Sequence, residues 1–246
     1  LERWLDDATL QAVAAENNLS ETAFLVARPS ESDEADGGYD LRWFTPSVEV
    51  PLCGHATLAA AHVVFRRLEP TLERVRFHSK SGPLEVERDG ELLALDFPSH
   101  PPGPCNPPPG LVDALGHPPA ELLRGLYYLA VYASEQEVAA LAPDFGALRR
   151  IEGSEVIATA PCEAGGDVDF VSRFFAPGVG IDEDPVTGSA HCTLTPYWSK
   201  RLGKVALRAR QISARGGELT CEDRGERVRI AGQAVLVIEG ELTLPL

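Results

Sequence analysis

The chain carries one motif twice, and that duplication limits its fold more than any other feature. Arg42–Ala56 reads RWFTPSVEVPLCGHA and Arg173–Ala190 reads RFFAPGVGIDEDPVTGSA. Arg42, Phe44, Pro46 and Val48 match Arg173, Phe175, Pro177 and Val179 in step. After a three-residue insertion, taken as Asp182-Glu183-Asp184, Pro51, Gly54 and Ala56 match Pro185, Gly188 and Ala190. Gly82-Pro83-Leu84 and Gly90-Glu91 then match Gly217-Glu218-Leu219 and Gly225-Glu226 in the same order. Two copies with so long a period exclude a solenoid and imply two similar lobes. The proline-dense stretch His100–Gly110 continues neither strand nor helix and reads as the linker between them.

Each copy gives the same coarse pattern. In the first, Asp7–Asn17 reads as a helix with an Asp N-cap. Strands are predicted at Thr22–Val26, Asp40–Phe44, Val75–His78, Leu84–Arg88 and Leu92–Phe97, the last two joined by the hairpin signal Asp89-Gly90. In the second, Ser134 and Glu137 form a capping box ahead of a helix to Leu141. Strands follow at Glu155–Ala160, Val168–Phe175, Val205–Ile212, Leu219–Glu222, Arg227–Ile230 and Ala234–Leu244. After each motif comes a helix. Ala56–Phe65 is apolar on every side and is expected to be buried all round. Its twin, Ser189–Leu202, carries Pro196, expected to kink it or loosen a turn. The fold class is therefore α+β, with mostly antiparallel sheets wrapped about central helices.

Composition narrows the function. Among 246 residues, 22 Lys+Arg face 37 Asp+Glu, a net charge of −15 that repels phosphate backbones and argues against nucleic-acid binding. Hydrophobic residues at 44% and charged residues at 24% belong to a globular chain rather than a disordered one. No apolar run is long enough to span a membrane, and the acidic start LERWLDDATLQ has no signal-peptide core. Five scattered cysteines, none in a CxxC pair, argue against a disulfide framework or structural zinc, so the expected location is the cytoplasm.

The chemistry gathers at the two helix starts, Gly54-His55 and Gly188-Ser189. A helix N-terminus offers unpaired N–H groups and partial positive charge, and glycine lets an anion approach closely. Two such starts facing each other across an interlobe cleft suit a small carboxylate ligand. His55 either donates to that ligand or caps the helix, and its N-terminal position is expected to depress its pKa. His62, on the same helical face, reads as a packed core residue. Cys53 at a helix N-terminus is expected to have a lowered thiol pKa, although its repeat partner is Thr187. Asp184 either orients a ligand amine or hydroxyl or is one of three solvated acids. Glu21, among Leu19, Ala23 and Phe24, is either a general acid/base in an apolar setting or an exposed turn residue. Neither a metal-ligand spacing such as HExxH nor a GxGxxG or P-loop pattern occurs.

Three ordered segments, Asn18–Phe24 (NLSETAF), Leu52–Thr57 (LCGHAT) and Asp184–Ala190 (DPVTGSA), together with Ser213–Leu219 (SARGGEL), resemble the PhzF family. These are phenazine-biosynthesis-type isomerases with the diaminopimelate epimerase fold. The resemblance runs nearly end to end. It implies two barrel-like lobes, 1–100 with 237–246 and 101–236, the terminal strand returning to the first lobe. It implies Glu21 as general acid/base, His55, Asp184 and Ser189 as polar groups around a bound ring, and Gly54 and Gly188 at its carboxylate. It further implies a homodimer and no metal or organic cofactor. The family opens with a strand and a Gly-Asn-Pro turn. This chain starts at Leu1 and contains no methionine, so a further strand ahead of Leu1 is expected.

The leading expectation is thus a cofactor-independent isomerase that moves a proton within a small cyclic amino or hydroxy carboxylic acid. A two-base racemase or epimerase using Cys53, with Cys192 near in sequence, is the enzymatic alternative. A catalytically silent protein that binds small carboxylates is the alternative from another class.

Overall fold

In the computed structural model, which describes residues 1–28, 38–162 and 166–243, both copies of the motif lie along one continuous sheet. The first half supplies β1 (Thr22–Arg28), β2 (Gly38–Phe44), β3 (Glu49–Val50), β4 (Arg74–Ser79), β5 (Gly82–Asp89) and β6 (Leu92–Pro98). The second supplies β7 (Gly103–Pro104), β8 (Glu121–Arg124), β9 (Tyr128–Val131), β10 (Val156–Pro161), β11 (Phe170–Ala176), β12 (Ile181–Glu183), β13 (Ala206–Gln211), β14 (Gly217–Asp223) and β15 (Arg227–Gly232). Their order is β1-β2-β4-β5-β6-β15-β14-β13-β11-β10-β9-β8-β7, with β3 on β2 and β12 on β11 off this path. The halves join where β6 and β15 pair antiparallel, from Arg227↔Pro98 to Gly232↔Leu93. Among the described residues only β2–β4, β9–β10 and β11–β13 run parallel. The mostly antiparallel expectation holds.

The helices are α1 (Asp7–Asn17), α2 (Gly54–Val63), α3 (Leu111–Ala114), α4 (Glu135–Ala140), α5 (Phe145–Arg149) and α6 (Gly188–Leu202). Asp6 caps α1 by accepting from Thr9 N at 2.9 Å. Ser134 caps α4 by accepting from Glu137 N at 3.2 Å, while Glu137 reaches back to the Ala133 N–H at 3.0 Å. The short β8, β9, α3 and α5 were not legible, because elements of four or five residues carry too little periodicity.

The duplication is visible as chemistry. Arg42 forks onto Glu49 at 2.8 and 2.9 Å, and Arg173 forks onto Glu183 at 2.8 Å through both arms. Each guanidinium lies over a phenylalanine ring, Phe44 at 5.0 Å and Phe175 at 4.8 Å from the centroid. Across the strands, Phe44 faces Glu49 and Phe175 faces Glu183. This register corrects the placement of the insertion. The extra residues precede Glu183, with a ladder irregularity between Phe175 and Ala176, so Asp184 stands where the first copy has Val50.

One apolar cluster runs through both lobes, taking Ala56, Ala60 and Ala61 from α2 and Ala190, Leu194 and Trp198 from α6. Helix α2 is not buried all round, however. Ala59 and Val63 are exposed and His62 is half-buried, because the sheet covers one side of the helix while Leu58 and Ala59 face a cleft. Helix α6 runs unbroken through Pro196. The missing N–H there frees the Cys192 carbonyl, which accepts from His100 N at 2.9 Å and ties the interlobe linker to the helix. The strand expected at Ala234–Leu244 does not form. Val235, Val237 and Ile238 are 80–85% exposed, and no ladder partner lies beside 234–243 among the described residues; Leu244 falls outside them. An alternating pattern needs a neighbouring strand to satisfy its backbone before it becomes a strand.

Candidate active site

The N-termini of α2 and α6 meet. A Cβ placed on Gly54 would lie 3.5 Å from the Gly188 Cα, and one on Gly188 would lie 3.6 Å from the Gly54 Cα. The missing side chains therefore let the two helix starts converge, and their free N–H groups and partial positive charges superpose. Gly54, His55, Gly188 and Arg215 help line a cavity of about 830 Å³ at this junction.

The first lobe contributes a cluster built from remote segments. Glu21 enters from the turn before β1, and Cys53 and His55 come from the start of α2. His55 Nε2 lies 2.9 Å from Glu21 Oε2, with the glutamate side chain only 9% exposed, so Glu21 is not a solvated turn residue. That buried oxygen has no well-aligned hydrogen-bond donor among the described residues. Cys53 Sγ lies 3.7 and 3.8 Å from the two imidazole nitrogens.

Both electrostatic expectations for this cluster reverse. Burial pushes the Cys53 thiol up rather than letting the helix N-terminus lower it, against the contact with His55. Burial opposes the charged imidazolium of His55, but contacts with Cys53 and with the Glu21 carboxylate outweigh it and hold the His55 pKa well above its usual value. A carboxylate in contact is a stronger influence than a helix terminus that shares its half-charge over several N–H groups. The three donor atoms lie within 4.8 Å of one another and could also hold a metal ion. Spacing could not reveal this, since Glu21 is far from Cys53 in sequence.

The second lobe contributes a different set. Asp184 is 7% exposed, which removes the solvated-acid reading. Its Oδ2 accepts from Thr187 Oγ1, while its buried Oδ1 has no partner among the described residues. Gln211 braces the segment, accepting from Thr187 N at 2.8 Å and donating to the Asp184 carbonyl at 2.7 Å. Burial raises the Asp184 pKa, against the Thr187 hydrogen bond and the positive charges of His55 and Arg215. Ser189 Oγ is 3.1 Å from Tyr127 Oη, and the tyrosine ring packs edge-on to Phe174 at 4.8 Å.

The structure thus groups Glu21, Cys53 and His55, sets Asp184 close enough to feel the charge of His55 and Glu21, and joins both sides through Gly54 and Gly188. Cys192 is not part of the Glu21–Cys53–His55 group: its Sγ faces the Gly188 carbonyl at 3.8 Å, and burial pushes its thiol up to about 12. Tyr127, Thr187, Gln211 and Arg215 were not identified from sequence as site residues. Tyr127 and Gln211 lie outside the repeated motif. Thr187 could have been found as the repeat partner of Cys53, and Arg215 as the charged residue of the Ser213–Leu219 segment.

Residues 1–100 and 125–240 match the family model described as phenazine biosynthesis-like protein, PhzC-PhzF. The chain belongs to the PhzF family. A Pseudomonas aeruginosa protein named as an uncharacterized isomerase is 53% identical over 244 residues, 99% of this chain and 90% of that one. A second such isomerase from the same organism is 54% identical over 245 residues, with the same coverage. The crystal structure of an Enterococcus faecalis PhzF-family phenazine biosynthesis protein superposes with a TM-score of 0.90 at 46% identity, covering 99% of this chain and 90% of that one. The chain is an enzyme, a PhzF-like isomerase with the two-lobed α+β fold. No helix among its described residues is long and apolar enough to cross a membrane.

Proposed function

We propose that this enzyme moves a proton between two carbons of a small, cyclic amino or hydroxy carboxylic acid, with Glu21 as the single general acid/base. The cleft lies between the first lobe (1–100 with 237–246) and the second (101–236), and the working assembly is a cytoplasmic homodimer. The observation that carries this reading is a buried carboxylate 2.9 Å from an imidazole, beside two converging helix N-termini.

The chemistry follows from that arrangement. The substrate carboxylate is held by the N–H groups at Gly54 and Gly188 and by the Ser189 hydroxyl, where helix-terminal charge favours an anion. Glu21 removes a proton from a ring carbon, and the electron pair moves into the conjugated system. Protonated His55 stabilises the negative charge that develops, and Asp184 Oδ1 accepts from a substrate amine or hydroxyl. Glu21 then returns its proton to a different carbon, so the atoms balance and no redox partner or cofactor is required. The racemase alternative needs a second base opposite Cys53. Thr187 occupies the matching position, and the Cys192 sulfur faces the Gly188 carbonyl with its thiol pushed up to about 12 by burial.

The test follows solvent deuterium by NMR across a panel of cyclic amino and hydroxy carboxylic acids, dihydro-hydroxyanthranilate included. Isomerisation with carbon-bound deuterium, lost in Glu21→Gln and kept in Cys53→Ala, is the expected result. Activity that survives Glu21→Gln but not Cys53→Ala would transfer the role to the thiol. Binding without exchange across the panel would favour a silent carboxylate binder.

A further inference from the structure

We propose that Glu21, Cys53 and His55 form a binding site for one thiophilic divalent cation, of the Zn²⁺ or Cd²⁺ type, whose occupancy switches the enzyme off. The donors are one carboxylate oxygen, one sulfur and one imidazole nitrogen, all within 4.8 Å of one another. Tetrahedral zinc with Zn–S of about 2.3 Å and Zn–N of about 2.0 Å needs an S···N edge of about 3.5 Å and an N···O edge of about 3.3 Å. The observed edges are 3.8 Å from Cys53 Sγ to His55 Nε2 and 2.9 Å from His55 Nε2 to Glu21 Oε2. Those two edges need adjustments of about 0.3–0.4 Å. The third, from Cys53 Sγ to the Glu21 oxygen, lies within 4.8 Å and must close to about 3.5 Å, which a rotation of the Glu21 side chain supplies.

The immediate surroundings favour the same occupant. Glu21 Oε2 is buried without an aligned donor, so a cation would meet an oxygen that is already desolvated. His55 opens onto the cavity, which supplies an entry path and a water molecule for the fourth position. A sulfur in the donor set selects Zn²⁺ or Cd²⁺ over Mg²⁺ or Ca²⁺. Ligation displaces the thiol proton of Cys53 and one imidazolium proton of His55 to solvent; nothing is oxidised or reduced. The inhibitory half rests on Glu21 being the base proposed above, since a metal-bound carboxylate cannot take the substrate proton.

The test uses the full chain, freed of metal with EDTA. Zn²⁺ is titrated calorimetrically, and Co²⁺ serves as an optical probe of sulfur ligation. One ion per chain and a thiolate-to-cobalt charge-transfer band are expected. Cys53→Ser abolishes the band and weakens Zn²⁺ binding at least about tenfold. Glu21→Gln weakens binding but keeps the band, which covers the case of a Cys53 variant that does not fold. Cys162→Ser, in the second lobe and away from this cluster, leaves binding unchanged. Absence of binding, or a band that survives Cys53→Ser, overturns the site and leaves the role of Glu21 untouched. Binding that does not slow proton exchange overturns the switch and counts against Glu21 as the base.

Discussion

The two helix starts carry the same repeated motif yet surround themselves with different side chains. Both keep a glycine at the first position, and both follow an Arg–Glu fork stacked on a phenylalanine. Around that shared frame the side chains have parted. The start of α2 has Cys53 and His55 with Glu21 against them, a set that can carry and move protons. The start of α6 has Thr187 and Ser189, with Asp184 where its twin has apolar Val50, a set that accepts and donates hydrogen bonds. The two copies share what positions the backbone and differ in the side chains around the helix starts. One lobe can then supply the reacting groups while the other holds the molecule they act on.

The largest effect expected from this division is on turnover. His55→Gln should lower kcat about 10²–10³-fold, whereas Ser189→Ala should cost about tenfold, mainly in KM. Equal losses in kcat at both positions would break the assignment of reacting and holding lobes. The same pair of groups gives a pH dependence with a definite sign. The folded His55 pKa is raised, so its contribution to stability is full below the unfolded value of about 6.5 and is lost as pH rises through the folded value. The Tm difference between wild type and His55→Gln should therefore shrink from pH 6.5 upward. A difference that grows with pH would mean that the helix terminus, not Cys53 and Glu21, governs the imidazole.

A smaller effect separates the two forks. Arg173 is 13% exposed and, besides Glu183, donates to the Val138 and Leu141 carbonyls at the end of α4. Arg42 is 18% exposed and adds Asp7, itself largely exposed, at 2.9 Å and the Trp4 ring at 5.4 Å, but no backbone carbonyl among the described residues. Arg173→Met should cost about 3 kcal/mol and Arg42→Met about 2 kcal/mol in urea denaturation, because the first also removes the side-chain donor to the Leu141 carbonyl and leaves Val138 with the Leu141 N–H alone. Equal costs would mean that the α4 contacts add nothing.

What the sequence revealed and what it hid follow the same line. The repeated Arg, Phe, Pro and Gly positions act through backbone geometry close in the chain, so their spacing exposed the two lobes and the helix starts. The Asp6 cap and the Asp89-Gly90 hairpin were legible for that reason too. The raised pKa of His55 was hidden because it depends on how the side chains fold together: the Cys53 sulfur turns onto the imidazole, and Glu21 arrives from a separate segment. Asp184 was assigned to an insertion because one-dimensional alignment cannot see which residue faces Phe175 across the ladder. The expected strand at Ala234–Leu244 had the right alternation but lacked a neighbour among the described residues. Tyr127 had no signal at all, since it lies outside the repeated motif.

That residue supplies the smallest and sharpest test. If the second lobe holds the ligand through Ser189, then Tyr127 acts as a positioning residue, its hydroxyl 3.1 Å from Ser189 Oγ and its ring fixed against Phe174. Tyr127→Phe keeps the ring contact and removes one hydrogen bond, so kcat/KM should fall about three- to fivefold, or about 0.6–1 kcal/mol, with little change in Tm. In a Ser189→Ala background the same substitution should do nothing, because the group it positions is gone. Additive losses in the double variant would show that the phenol meets the substrate directly. The ligand would then touch more of the second lobe than its helix start, and the division of labour would have to include the loop between β8 and β9.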